Sequence, residues 1–462
     1  MIDHRSVTAS GLNFHVATAG PEDGPLVILL HGFPELWFGW RHQIDFLADA
    51  GFCVWAPDQR GYNLSDKPPG AEAYAIDYLA ADVVGLILAA GRERAILVGH
   101  DWGGAVVWHL AATMPERVER AVILNVPHPV VMLRHLKSNL RQVLRSWYMI
   151  FFQVPWLPDW WLGFNRGWPL ARTLRRTSRP GTFSADDLAH YREAWSQPGA
   201  ITAMLNWYRA AMRFSRRQAV GSRIHVPTLL IWGARDAFIG RETAQPSIDL
   251  CQNGRLEFIE NATHWVQHEE ASRVNELILQ FLGGAYILLG RPEKALPVFQ
   301  EQFRTTKNPS PGILAALLAD QLSDEKTRGE LLAEVIAEGP TFKERGKPRV
   351  EVLQLAFWLV DGLKEGGKGD HDLAPIDKLL ADAEESDRLI CQHLLGRYLS
   401  QHGARDRAIE YWKRVMASSQ LTNWHRSLAG NALTELGLGP KDFQQELLSR
   451  PKETKRGDDK GE

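Results

Sequence analysis

Short apolar runs punctuate the first 282 residues, at 12–17, 26–30, 52–56, 95–99, 121–125, 228–232 and 255–259. Several are continuous rather than alternating, the pattern of central strands in a parallel sheet covered on both faces. Between them, stretches such as 75–90 and 272–282 carry apolar residues at helical spacing. The alternation predicts an α/β fold with a doubly wound, mostly parallel sheet. It breaks once: from 125 to 228 no strand-like run occurs, and helical stretches lie at 133–152, 184–196 and 200–214. This interval predicts a helical cap inserted above the carboxyl ends of the strands, where open α/β sheets hold their ligands.

From 283 onward the pattern is helical only. Leu282-Gly283, Tyr286, Gly290, Ala295 and Phe299 have the spacing of Leu395-Gly396, Leu399, Gly403, Ala408 and Trp412. Small residues at fixed offsets let two helices approach, and large ones fill the gap to the next pair. The spacing resembles the tetratricopeptide repeat. Segments 313–339 and 350–383 read as further helix pairs, with loops at 339–349 and 366–372. The expected division is a core of 1–127 and 226–282, a cap of 128–225, an all-α repeat domain of 283–448, and a charged, disordered tail of 449–462.

Composition narrows the class. A length of 462 residues suggests about three units at ~150 residues each. Apolar content of 45% with 23% charged residues is that of a soluble globular protein. The net charge of -2 gives no reason to expect a nucleic-acid partner. Cys53, Cys251 and Cys391 match no metal or disulfide spacing, and no cofactor or metal is expected. With no signal-like N-terminus and no bilayer span, the expected location is cytoplasmic. The apolar stretch 147–164 is interrupted by Gln153, Pro155, Pro158 and Asp159. The tryptophans between 147 and 207 instead suggest an aromatic-lined pocket.

The candidate chemistry starts at Gly99-His100-Asp101-Trp102-Gly103-Gly104, between a strand-like and a helix-like run. This is the pattern of a nucleophile elbow, whose tight turn lifts one side chain above the sheet. Here that side chain is the carboxylate of Asp101. Attack on an ester carbonyl would give a mixed anhydride and gain nothing. Attack on a saturated carbon bearing a leaving group gives an alkyl ester that water can cleave. The loop His31-Gly32-Phe33-Pro34-Glu35 follows the second strand-like run and is placed to supply the Phe33 backbone N–H to an oxyanion hole, with the Trp102 N–H as the second donor. Downstream, Asp236 and His264 each stand just past a strand-like run. The order nucleophile, acid, histidine makes His264 the base that activates water and Asp236 its orienting partner.

These segments, with Trp40-Arg41-His42-Gln43, Asp58-Gln59-Arg60-Gly61-Tyr62 and Asn125-Val126-Pro127-His128-Pro129, make residues 1–282 resemble the epoxide hydrolases of the α/β-hydrolase superfamily. The resemblance implies two cap tyrosines that hold and protonate the epoxide oxygen. Tyr148 and Tyr208 match them, and with Phe33 and Trp102 they would contact substrate. Ring opening creates an alkoxide far more basic than a phenol, so two O–H donors stabilise charge as it forms. The implied activity converts a small-molecule epoxide to a vicinal diol. Two alternatives stand beside it. One is a haloalkane dehalogenase with the same nucleophile. The other is an interaction protein, binding a protein partner on the repeats, with an inactive hydrolase.

Overall fold

A computed structural model of the chain describes residues 2–214, 223–288 and 292–306, with scattered positions between 315 and 334. The chain divides into two compact units, 1–285 and 286–462. The first is built on eight strands: β1 (Asp3–Ala9), β2 (Leu12–Ala19), β3 (Leu26–Leu30), β4 (Cys53–Pro57), β5 (Ala95–His100), β6 (Val118–Leu124), β7 (Thr228–Gly233) and β8 (Gly254–Ile259). They lie in the order β1-β2-β4-β3-β5-β6-β7-β8. β3 to β8 run parallel, while β1 and β2 form an antiparallel edge. The seven expected strands form. β1 was not expected, because its residues are mostly exposed and show neither an apolar run nor a clean alternation.

The continuous runs are buried throughout: every residue of β3, β4, β5 and β7 is in the core. Truncating one such side chain, as in Leu97→Ala, costs about 2–5 kcal/mol. Helices α1 (Arg41–Asp49), α2 (Ile76–Ala89) and α3 (Trp102–Thr113) follow β3, β4 and β5. α3 packs on β5 and β6. Pairing Leu30 with Gly99, His100 with Leu124, and Gly233 with Ile259 brings the carboxyl ends of these strands into line. The loops that leave them converge on one place.

Over that place lie α4 (Pro129–Ser138), α5 (Leu140–Arg145), α6 (Trp147–Phe151), α7 (Leu157–Thr177), α8 (Ala185–Trp195) and α9 (Ala200–Arg213). The single helix expected at 133–152 is three short ones. Asn139 turns extended, ends α4, and caps α5 by accepting from the Gln142 N–H. α7 is also interrupted: Asn165, Arg166 and Gly167 take positive φ. Pro169 lies in the next turn, where its ring cannot coexist with a regular helical carbonyl four residues back. A capping box between Ser184 and Asp187 starts α8. The cap tryptophans do not all line a pocket. Trp195 and Trp207 are buried, whereas Trp147, Trp156, Trp160, Trp161 and Trp168 stand on outer faces, 41–74% exposed.

The remaining helices are α10 (Ala244–Ile248), α11 (Val266–Glu269), α12 (Ala271–Leu288) and α13 (Pro292–Thr306). In α13, Ala295 and Phe299 of the first repeat signature are buried. The second signature at 395–412, the segment 350–383, both loops and the tail 449–462 lie outside the described residues. Among the described residues no helix is long and apolar enough to cross a membrane.

Candidate active site

Asp101 stands between β5 and α3 with φ 49° and ψ -120°. This left-handed conformation is costly for a residue with a side chain. The turn is tight on both sides. A Cβ on Gly103 would collide with the Leu30 carbonyl, and one on Gly99 with the Gly103 backbone. The strain lifts the carboxylate clear of the sheet. Its Oδ1 accepts from the Phe33 N–H at 2.9 Å. Trp102 is the first residue of α3. Its N–H is therefore one of the helix-start donors without an intrahelical partner.

The Phe33 loop is held from below. Gln59 N–H donates to His31 Nε2 at 3.1 Å, and the Gln59 side chain donates to the His31 carbonyl. His31 Nδ1 in turn donates to the Gly32 carbonyl at 3.0 Å.

His264 follows β8, and its Nε2 is 3.8 Å from Asp101 Oδ2. Its Nδ1 donates to Asp236 Oδ2 at 2.7 Å. Asp236 also accepts from the N–H groups of Phe238 (2.7 Å) and Ile239 (2.9 Å) and from Asn125 Nδ2 (2.8 Å). Asn125, from the loop after β6, accepts from the Gly233 N–H at 2.8 Å and so ties two strand ends together. Burial would raise the Asp236 pKa, but His264 and these hydrogen bonds outweigh it and hold the carboxyl below its usual range. Burial would likewise lower that of His264. The charges of Asp236 and Asp101 reverse the direction and push it up to about 9.

Tyr148 on α6 and Tyr208 on α9 meet edge to face, their centroids 5.9 Å apart. Tyr208 also packs on Phe33 (5.2 Å), Trp102 (5.1 Å) and Phe152 (5.0 Å). Phe238 lies 5.9 Å from Tyr148 and 5.1 Å from His264. Burial first, and then the Asp101 charge, raise the pKa of both tyrosines. Both phenols therefore keep their protons. These contacts link all seven residues singled out in the sequence into one cluster.

Behind this cluster lies a buried network that the sequence motifs touch but do not assemble. Glu35 accepts from Tyr191 Oη (2.8 Å) and Gln267 Nε2 (2.9 Å) and contacts His268 Nε2 at 2.6 Å. Burial acts to raise its pKa, but the imidazoles of His268 and His100 hold it well below the usual range. His100 Nε2 donates to the His264 carbonyl at 2.9 Å, so the network fixes the backbone of the histidine. Glu35 belongs to the loop motif, but its partners on α8 and α11 are remote in sequence and match no pattern.

The buried cap tryptophans have committed their N–H groups. Trp195 Nε1 donates to the Pro34 carbonyl at 2.7 Å and Trp207 Nε1 to the Arg60 carbonyl at 3.0 Å.

Residues 25–271 match the family model described as the alpha/beta hydrolase fold. The AB hydrolase superfamily protein YfhM of Bacillus subtilis is 49% identical over 276 residues, 60% of this chain and 96% of that protein. Human epoxide hydrolase 4 is 37% identical over 280 residues, 59% of this chain and 76% of its own length. Among solved structures, an epoxide hydrolase variant from Bacillus megaterium, complexed with its product (R)-3-[1]naphthyloxy-propane-1,2-diol, superposes with a TM-score of 0.56 at 31% identity, covering 60% of this chain and 99% of that one.

Proposed function

The chain belongs to the α/β-hydrolase fold family, with epoxide hydrolases among its relatives, and we propose that it converts an epoxide and water to a vicinal diol through a covalent ester on Asp101. Asp101 Oδ2, free of the Phe33 hydrogen bond, attacks an epoxide carbon. The carbon–oxygen bond breaks, and the oxygen takes a proton from Tyr148 or Tyr208. The resulting phenolate is tolerable because the neighbouring carboxylate charge disappears in the same step.

The loss of that charge also changes His264. In the free enzyme Asp101 helps keep the imidazole protonated. Once Asp101 is an ester, the histidine loses part of its reason to hold a proton, yields it to the tyrosinate and becomes a base. It deprotonates a water that adds to the ester carbonyl. The oxyanion forms on Oδ1, where the Phe33 N–H already points and the Trp102 N–H is the second donor. Collapse expels the diol oxygen, which takes the proton from His264. The proton left on Asp101 returns to His264, which restores the charged imidazole, and the cycle closes.

The observation that carries this reading is the pair of tyrosines at the elbow carboxylate, protonated and packed together. A haloalkane dehalogenase needs two N–H donors for halide, of which the Trp102 indole could supply one. Position 33 is Phe, and the buried cap indoles of Trp195 and Trp207 are already bonded to carbonyls. A complete set of reacting groups also argues against an inactive hydrolase that serves only as an interaction module.

Blocking the second half-reaction separates these readings. His264→Gln treated with an epoxide should gain the mass of one whole epoxide, with the adduct on Asp101. An inactive variant that never gains mass would assign His264 a structural role instead.

A further inference from the structure

The outer face of the cap is unlike the rest of the surface. Of eighteen large hydrophobic side chains exposed among the described residues, fourteen belong to the cap. They form stripes at helical spacing: Leu140 and Leu144 on α5, Trp147 and Ile150 on α6, and Leu157, Trp160, Trp161 and Phe164 on the first half of α7. The stripes are continuous. Phe151 lies 5.9 Å from Trp147 and 5.9 Å from Trp161. So large an exposed apolar patch marks an interaction surface.

Charge says what it meets. Residues 128–225 hold fifteen Arg and Lys against four Asp and Glu, a net +11 in a chain of net -2. Residues 1–127 and 226–282 together hold a net -11. Arg141, Arg145, Arg172, Arg175 and Arg176 are exposed. Among the described residues, the ion pairs made by cap arginines are those of Arg179 and Arg209.

We infer that the cap's outer face seats the protein on an anionic lipid surface. The indoles and aliphatic tips of α5, α6 and α7 enter the headgroup boundary, and the flanking arginines meet lipid phosphates. Indole rings favour that boundary, and basic residues beside an apolar helix face add attraction to anionic lipid. The contact lies on the membrane and does not span it, in keeping with the absence of a spanning helix among the described residues. A second copy docking through the same face would bring two strongly positive surfaces together. A nucleic acid would stack on the tryptophans but gain nothing from Leu140, Leu144 or Ile150. The acidic core is repelled by the same lipid and faces away from it.

The placement has a consequence that rests on the epoxide reading. Helix α6 carries Tyr148 on its inner side and Trp147 and Ile150 on its outer side. An epoxide dissolved in lipid would therefore lie one helix away from Tyr148.

The test uses the full chain and sedimenting vesicles of phosphatidylcholine, with and without phosphatidylserine. The protein should sediment with the phosphatidylserine vesicles and be released as salt rises. Trp156→Ser combined with Trp160→Ser should bind on the order of tenfold more weakly. Arg172→Glu combined with Arg175→Glu should lose the preference for anionic lipid. Both should hydrolyse a water-soluble epoxide at the parent rate, which shows that they fold.

Several results would overturn the inference: no sedimentation with either vesicle, binding unchanged in both variants, a tryptophan variant that alters only self-association, or tighter binding to a DNA oligonucleotide than to vesicles. Vesicle binding is read without substrate, so its failure and that of the epoxide reading are distinguishable.

Discussion

Core and cap of the hydrolase unit hold the residues proposed to react by different means. In the core, Asp101, Asp236 and His264 stand on loops that leave adjacent strand ends. Backbone N–H groups, Asn125 and the His100 contact fix them. In the cap, Tyr148 stands on a five-residue helix, and ring packing against Phe152, Tyr208 and Phe238 surrounds it. The core arrangement is one that hydrogen bonds specify to a few tenths of an ångström. The cap arrangement is one that apolar shape specifies more loosely. On the proposed mechanism, bond making falls to the rigid part, and substrate fit to the part that can be re-shaped without disturbing Asp101.

The sharpest way to break that contrast is to remove the nucleophile. Asp101→Ala should abolish turnover while its circular dichroism and melting stay close to the parent's. The cap should cost less. Tyr148→Phe and Tyr208→Phe should each slow epoxide opening by ~100-fold, with the double variant nearly inactive. Stopped-flow tryptophan fluorescence would resolve opening from ester hydrolysis. Parental opening rates in both variants, with halide released from haloalkanes, would favour a dehalogenase.

Asn125→Ala tests the rigidity of the core. It leaves a buried carboxylate one donor short and should cost about 1–3 kcal/mol in denaturant melts. It should also slow ester hydrolysis more than epoxide opening.

A further expectation is a pH dependence. The folded pKa of His264 is raised to about 9, above its usual 6.5. The associated stability is fully present below pH 6.5 and is lost as pH rises through 9. Melting followed across that window should show the loss. Asp101→Asn should make it smaller, because one of the carboxylate charges responsible is gone.

Legibility in the sequence follows the same division. The elbow could be read because only glycine fits at Gly99 and Gly103. The buried strands could be read because a parallel sheet demands unbroken apolar runs. Asp236 and His264 could be placed by chain order after those runs. Strand β1 could not, since an exposed edge imposes no pattern. Periodicity marks the cap as helical, but its breaks at Asn139 and Asn165 depend on local backbone choices that periodicity does not register. The direction of the tryptophans is hidden for a similar reason. Aromatic residues at helical spacing suit an inward or an outward face, and only packing decides. Glu35 was visible as part of a motif, while its link to His268 required the fold.

The central claim is that Asp101, not water, makes the first bond to the epoxide. A single turnover in water enriched in heavy oxygen, with enzyme in excess, reads this directly. The account predicts an unlabelled diol on that first turnover, its new oxygen drawn from the Asp101 carboxylate, and label retained in the enzyme. A diol carrying heavy oxygen after one turnover would mean direct attack by water and would contradict the covalent ester.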